Sequence, residues 1–124
     1  LLVDLLKDNP NLIIELGSHT DSKGSQQYNY ELSQKRAQSV VNYLIERQIP
    51  AARLRAKGYA QTMPFVVDQA LNARCPALPI GQPLTPEFIE SLQNEADREM
   101  AEQANRRTEF RVLRDDYPVA PASR

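Results

Sequence analysis

The sequence predicts an α+β fold, a two-layer sandwich in which helices lie on one face of a mixed β-sheet. Three observations lead there. Residues 11–20, NLIIELGSHT, alternate like a strand in a mostly buried surround. Residues 26–47 carry an apolar stripe at helical spacing. Residues 53–59, RLRAKGY, and 105–113, NRRTEFRVL, alternate again.

Taken in order, LLVDLLKD at 1–8 puts Leu2, Leu5 and Leu6 at i, i+3 and i+4, the end of an amphipathic helix that Asn9-Pro10 stops. In the first strand Leu12, Ile14 and Leu16 oppose Ile13 and Glu15. The stretch DSKG at 21–24 is a turn, and Ser25 is placed to cap the long helix after it. In that helix Ala37, Val40, Val41, Leu44 and Ile45 form the stripe, while Gln38, Asn42 and Glu46 face outward. Ile49-Pro50 leads into the second strand, and strand, helix, strand in that order is a βαβ-type unit.

Residues 60–84 read as an irregular loop, with Pro64, Pro76, Pro79, Pro83 and Pro86 close together. Thr85-Pro86-Glu87 opens a helix with a cap, a proline at the first position and an acid in the first turn. That helix carries Phe88, Ile89, Leu92, Ala96 and Met100 on one side. A third strand sets Thr108, Phe110 and Val112 against Glu109 and Arg111. The reading is one domain over 1–114 and a polar, proline-containing tail over 115–124.

Composition narrows the function. Fifteen basic and 16 acidic residues leave a net charge of −1, without the broad positive field of a nucleic-acid binder. One cysteine, Cys75, supports neither an internal disulfide framework nor a thiolate metal cage. No stretch approaches the roughly 20 apolar residues of a membrane-spanning helix. The start at Leu1, in mid-pattern, reads as a domain cut from a longer protein.

The run Ser18-His19-Thr20-Asp21 raises the question of chemistry. Alternate residues of a strand share a face, so His19 and Asp21 point one way and Ser18 and Thr20 the other. A Ser-His-Asp triad needs convergent side chains, and neighbours on one strand cannot converge. A single histidine offers a metal one imidazole, so no metal and no cofactor is expected. Asp21 stands where a strand ends and a glycine turn begins, and Arg36 lies fifteen residues on, at the border of the buried stripe. Two readings stand. They form an ordinary ion pair, or a two-pronged site in which Asp21 takes an ammonium and Arg36 a carboxylate through its planar fork. Asn29, near the helix start, supplies an amide that donates and accepts.

These residues carry a resemblance. Thr20-Asp21 with Gly24, then Asn29, Leu32, Ser33, Arg36, Ala37 and Val40, then Ile49, Arg53, Leu54, Gly58 and Tyr59, and finally Asn105-Arg106-Arg107 follow one family's pattern in order. The chain resembles the OmpA-like peptidoglycan-binding domain, also found in Pal lipoproteins and in the flagellar stator protein MotB. The resemblance implies a βαβαβ arrangement with an inserted loop and helix at about 60–104. It implies that Asp21 and Arg36 hold the diaminopimelate of the peptidoglycan stem peptide. Thr20 and Asn29 line the same pocket, and Leu32 and Arg107 stand beside it. It further implies a non-catalytic wall anchor in the periplasm, attached to the outer membrane through a parent protein, with other envelope or secretion-complex proteins as further partners.

The chain also departs from the family. The family begins with a strand and loop that help form the pocket, and the sequence here starts after them. Ala60 replaces a glycine, and the cysteine pair of some relatives is missing. The long 60–104 segment resembles the form found in Bacteroidetes-type envelope proteins, including a component associated with type IX secretion. Rival readings are a peptidoglycan hydrolase or amidase using His19 or Asp21, and a protein–protein module built on the 60–104 segment.

Overall fold

The computed structural model describes residues 1–119, so residues 120–124 of the predicted tail lie outside the described residues. Strand β1 (Ile13–His19) is central in a three-stranded sheet of order β2-β1-β3. It pairs in parallel with β2 (Leu54–Ala60) and antiparallel with β3 (Arg107–Arg114), which makes the sheet mixed, as the sequence predicts.

One face of the sheet is apolar. Ile14 and Leu16 of β1 and Leu54 of β2 pack with Leu6 of helix α1 (Leu2–Asp8) and with Val41 and Leu44 of helix α2 (Gln26–Glu46). The opposite face carries Glu15, whose carboxylate accepts from Tyr59 Oη at 2.5 Å and lies 3.4 Å from Arg111 Nε. Alternation along β1 therefore separates core from polar face, although Glu15 and His19 on the polar face are themselves buried.

Helix α2 is capped by Ser25, which accepts from the Tyr28 N–H, and its buried residues are Asn29, Ser33, Ala37, Val41 and Leu44. Of the predicted stripe Ala37, Val41 and Leu44 are buried, Val40 is half-buried and Ile45 is not covered. In the first half the buried positions are polar, and Ile45 is 39% exposed. Close approach of helix and strand is the reason. A Cβ on Gly58 would stand 2.4 Å from Gln34 N and 2.5 Å from Ser33 Oγ. At that distance polar side chains serve β2 directly. Ser33 Oγ accepts from Ala60 N–H, Gln34 Oε1 accepts from Gly58 N–H at 2.8 Å, and Gln34 Nε2 donates to Ala56 O. The Gln34 amide covers the free edge of β2 much as a further strand would.

Between β2 and β3 the structure departs from the sequence-based expectation. Residues 60–84 are not wholly irregular, because helix α3 (Gln69–Arg74) starts there behind an Asp68 cap. The single helix expected after Thr85 is two, α4 (Pro86–Ser91) and α5 (Glu95–Asn105). Leu92 turns extended, and the Asn94 side chain accepts from the N–H of Ala96 and Asp97 to begin a new helix. These pieces share a second core of Val67, Leu71, Cys75, Leu78, Leu84, Ile89 and Ala101. After β3 the chain folds back on the start of the domain, where Tyr117 N–H donates to Asn11 O.

Candidate functional site

The site is built where β1 runs out. Thr20 is 4% exposed, and its N–H continues the sheet by donating to Ala60 O. Asp21 then folds back on its own loop. Its Oδ1 accepts from Lys23 N–H at 3.0 Å, an Asx turn that Gly24 completes at φ +87°. From the helix side Asn29, 3% exposed, donates to Lys23 O and to Gln61 Oε1. Three of the sequence-predicted residues, Thr20, Asp21 and Asn29, therefore meet around one four-residue loop.

The structure pairs Asp21 with a residue that local spacing does not reveal. Arg106 Nη1 donates to Asp21 Oδ2 at 2.7 Å, and Arg106 Nη2 donates to Glu99 Oε2 at 2.6 Å. Glu99 in turn lies 3.6 Å from Lys23 Nζ, which closes a ring of charges over the loop. The bond to Glu99 first, and that to Asp21 second, hold the Arg106 guanidinium above its ordinary pKa; the same bond holds the Glu99 carboxyl below its own. Glu102 of α5 completes the enclosure, accepting from Ser22 N–H at 3.2 Å and from Ser22 Oγ–H at 2.6 Å. A cleft of about 410 Å³ opens beside these contacts, between Ser22 and Lys23 on one wall and Pro86, Ile89 and Glu95 on the other.

Arg36 is not brought to Asp21. It is exposed, and among the described residues it makes no hydrogen bond or ion pair. The simple ion pair of Asp21 with Arg36 is thereby corrected to Asp21 with Arg106. Asn29, Leu32 and Arg36 stand at i, i+3 and i+7 on one flank of α2, with Leu32 half-buried, so Arg36 projects about 10 Å along the helix from Asn29.

The rest of the Asn-Arg-Arg run braces the frame. Asn105 Oδ1 accepts from Phe65 N–H, and its Nδ2 donates to Leu84 O. Arg107 lies over the Phe65 ring, donates to Met63 O and Asn105 O, and sets its Nε 3.0 Å from Glu109 Oε2. That last pair is ionic, off the hydrogen-bonding line. No signal in the sequence marks Arg106, Glu99 and Glu102 as neighbours of the loop, since each contact spans about eighty residues of chain.

His19 is 5% exposed, with its ring stacked on Tyr59 at 4.9 Å between centroids. Burial, and then the charge of Arg107, push its pKa down. Ser18 points to the other face, where its Oγ and Thr108 Oγ1 are 2.6 Å apart. Serine and histidine therefore diverge, as strand geometry requires. Among the described residues no group of three or more acidic, histidine or cysteine side chains is arranged to hold a metal, and no helix is long and apolar enough to cross a membrane.

The sequence is similar to outer-membrane proteins. It is 44% identical over 59 residues to outer membrane protein A of Klebsiella aerogenes, covering 48% of this chain and 17% of that protein. It is 38% identical over 72 residues to outer membrane porin F of Pseudomonas fluorescens, covering 58% of this chain and 22% of that one. The chain thus spans about a fifth of the length of these relatives. Two solved structures share the fold. The cell wall anchor of the type VI secretion system from Pseudomonas aeruginosa has a TM-score of 0.56 at 22% identity, over 91% of this chain and 62% of that one. A MotB-like protein from Desulfovibrio vulgaris has a TM-score of 0.57 at 24% identity, over 93% and 56%. The model of the OmpA family matches residues 1–75, which contain the loop, Asn29 and Arg36, and the chain belongs to that family.

Proposed function

We propose that this domain binds peptidoglycan without altering it, gripping the free amino-acid end of diaminopimelate in the stem peptide, and so tethers a parent envelope protein to the cell wall. Asp21 receives the ligand ammonium. Arg36 receives the carboxylate through two parallel charge-assisted hydrogen bonds. Thr20 and Asn29 hold the loop in shape, Leu32 lies beside the ligand on the same flank as Arg36, and Arg107 braces the frame.

The observation that carries this reading is the contrast between the two charged groups. Asp21 is fixed at the exit of β1 by Lys23 N–H and Arg106, while the Arg36 guanidinium is exposed and unpaired among the described residues. A free guanidinium can take a carboxylate without breaking a native ion pair. An ammonium arriving at Asp21 leaves Arg106 still bonded to Glu99, so no charge is orphaned. Family membership and outer-membrane relatives support a periplasmic setting. The parent assembly is an outer-membrane protein or envelope machine, and its assignment to type IX secretion rests on the resemblance of the 60–104 segment. The opposed Ser18 and His19 favour binding over hydrolysis.

Purified sacculi test the proposal. The wild-type domain should pellet with them and release no soluble fragments. Asp21→Ala and Arg36→Ala should each weaken binding by ~2–5 kcal/mol, the cost of stranding one partner of a desolvated charge pair, while circular dichroism stays unchanged. Wild-type pelleting by both variants would remove the clamp. Release of muropeptides would replace tethering with hydrolysis.

A further inference from the structure

The segment between β2 and β3 reaches the ligand loop with one buried acid. Glu102 is 4% exposed, and among the described residues no lysine or arginine forms an ion pair with it. Both its oxygens are spent on one residue, Ser22, through the N–H at 3.2 Å and the hydroxyl at 2.6 Å. Burying an ionised carboxylate is expensive unless it is hydrogen-bonded, and charge-assisted bonds of this kind are the strong ones. The fold accepts that cost where α5 meets the residue next to Asp21.

Among the described residues Ser22 makes no other hydrogen bond. Helix α2 secures the loop one residue later, where Asn29 donates to Lys23 O. The backbone that aims the Asp21 carboxylate leaves the sheet at Thr20, whose hydroxyl donates to Asp21 O, and is held beyond Asp21 by Glu102 on α5 and Asn29 on α2. If Glu102 is removed, Ser22 loses both bonds, while Asp21 keeps the Thr20 hydroxyl on its carbonyl and Lys23 N–H and Arg106 on its carboxylate.

We propose that Glu102 is a positioning residue for recognition. It fixes Ser22, and through it the direction of the Asp21 carboxylate, which makes the last turn of α5 a working part of the ligand site. The proposal rests on the ligand reading of Asp21. Glu102 acts through Ser22, since each of its oxygens accepts a hydrogen bond from that residue.

Sacculus pelleting across a range of protein concentrations tests it, with the 124-residue chain and five variants. Glu102→Ala should bind about tenfold more weakly than wild type, or worse, as for the loss of two half-buried hydrogen bonds to a carboxylate. Glu102→Gln keeps one acceptor oxygen and should fall between the two. Ser22→Ala should also weaken binding, and adding it to Glu102→Ala should cost little more, because both remove the same contact. Val67→Ala, in the second core but away from the loop, should lower the melting temperature and leave affinity unchanged. That control separates aiming from general loosening. Glu102→Ala bound as tightly as wild type, or Val67→Ala weakened equally, would overturn the positioning role while leaving the clamp intact. A wild-type chain that fails to pellet would sink the ligand reading first, and this proposal with it.

Discussion

The molecule has two hydrophobic cores built on different principles. The first joins α1, α2 and the sheet; Ile14, Leu16, Val41, Leu44 and Leu54 come from long or paired elements with regular spacing, and Leu6 of α1 and Ile49 of the connection after α2 complete it. The second holds Val67, Leu71, Cys75, Leu78, Leu84, Ile89 and Ala101 around three helices, two of them only six residues long. Helices that short have no stability of their own. Asp68, Thr85 and Asn94 cap them through their side chains. The first core is organised by periodicity and the second by individual hydrogen bonds, so the two should fail in different ways.

Arg53 gives the largest expected effect. It is 3% exposed and has no carboxylate partner among the described residues. Its Nε donates to Leu12 O, and its Nη2 donates to Leu6 O and Asn9 O, each at 2.8 Å. Those carbonyls lie at the end of α1 and in the turn after it, where helix carbonyls lack internal partners. Arg53→Ala strands one buried and two half-buried acceptors at once and should lower unfolding free energy by about 3 kcal/mol, read from denaturant midpoints. Arg53→Lys should recover only part of this, since a point charge cannot reproduce the fork. A loss below about 1 kcal/mol would mean that water reaches those carbonyls and that the first core is open at this end.

Asn105 tests the second core. Its amide ties Phe65 N–H and Leu84 O to the end of α5. Asn105→Ala should cost roughly 1–3 kcal/mol for one buried and one half-buried group left unsatisfied. The opening should be local, with faster amide exchange across 64–104 and unchanged protection in β1 and α2. A uniform rise across both regions would show the two cores to be one cooperative unit.

The same difference explains what could be read in the sequence. The strand β1 and the second half of α2 were legible because apolar periodicity survives without tertiary context. The extent of α2 and its Ser25 cap were legible as well, but the buried face of its first half was not, since Asn29 and Ser33 are buried against Gly58 and Ala60 for reasons that lie in β2. The break at Leu92–Asn94 and helix α3 had local signals, an asparagine and an aspartate each capping a helix. Apolar spacing hid the first, and surrounding prolines hid the second. At the site, Asp21 with its glycine turn stood out locally. Its ion pair with Arg106 depends on how α5 packs, and no spacing rule reaches across that distance in the chain.

The junction of the two regions gives the smallest expected effect. Ala60 ends β2 with φ +53°, a left-handed conformation that costs a non-glycine residue ~1–2 kcal/mol. The backbone is pinned there, because Ala60 N–H donates to Ser33 Oγ and Ala60 O accepts from Thr20 N–H. Glycine would relieve the strain, and the family pattern has glycine at this position. Two effects oppose the exchange. The Ala60 methyl is 1% exposed, so its loss forfeits about 0.8 kcal/mol of burial. Glycine also adds ~0.5–1 kcal/mol of chain entropy to the unfolded state. Strain relief, lost burial and added entropy nearly cancel, which accounts for alanine being tolerated where the first region hands over to the second. Ala60→Gly should therefore move the denaturant midpoint by less than about 1 kcal/mol in either direction. A gain of about 2 kcal/mol would show that strain outweighs the other two and that the methyl is poorly packed. A comparable loss would show that packing fixes this turn, and the handover at Ala60 would then belong to the first core rather than to the hydrogen bonds that organise the second.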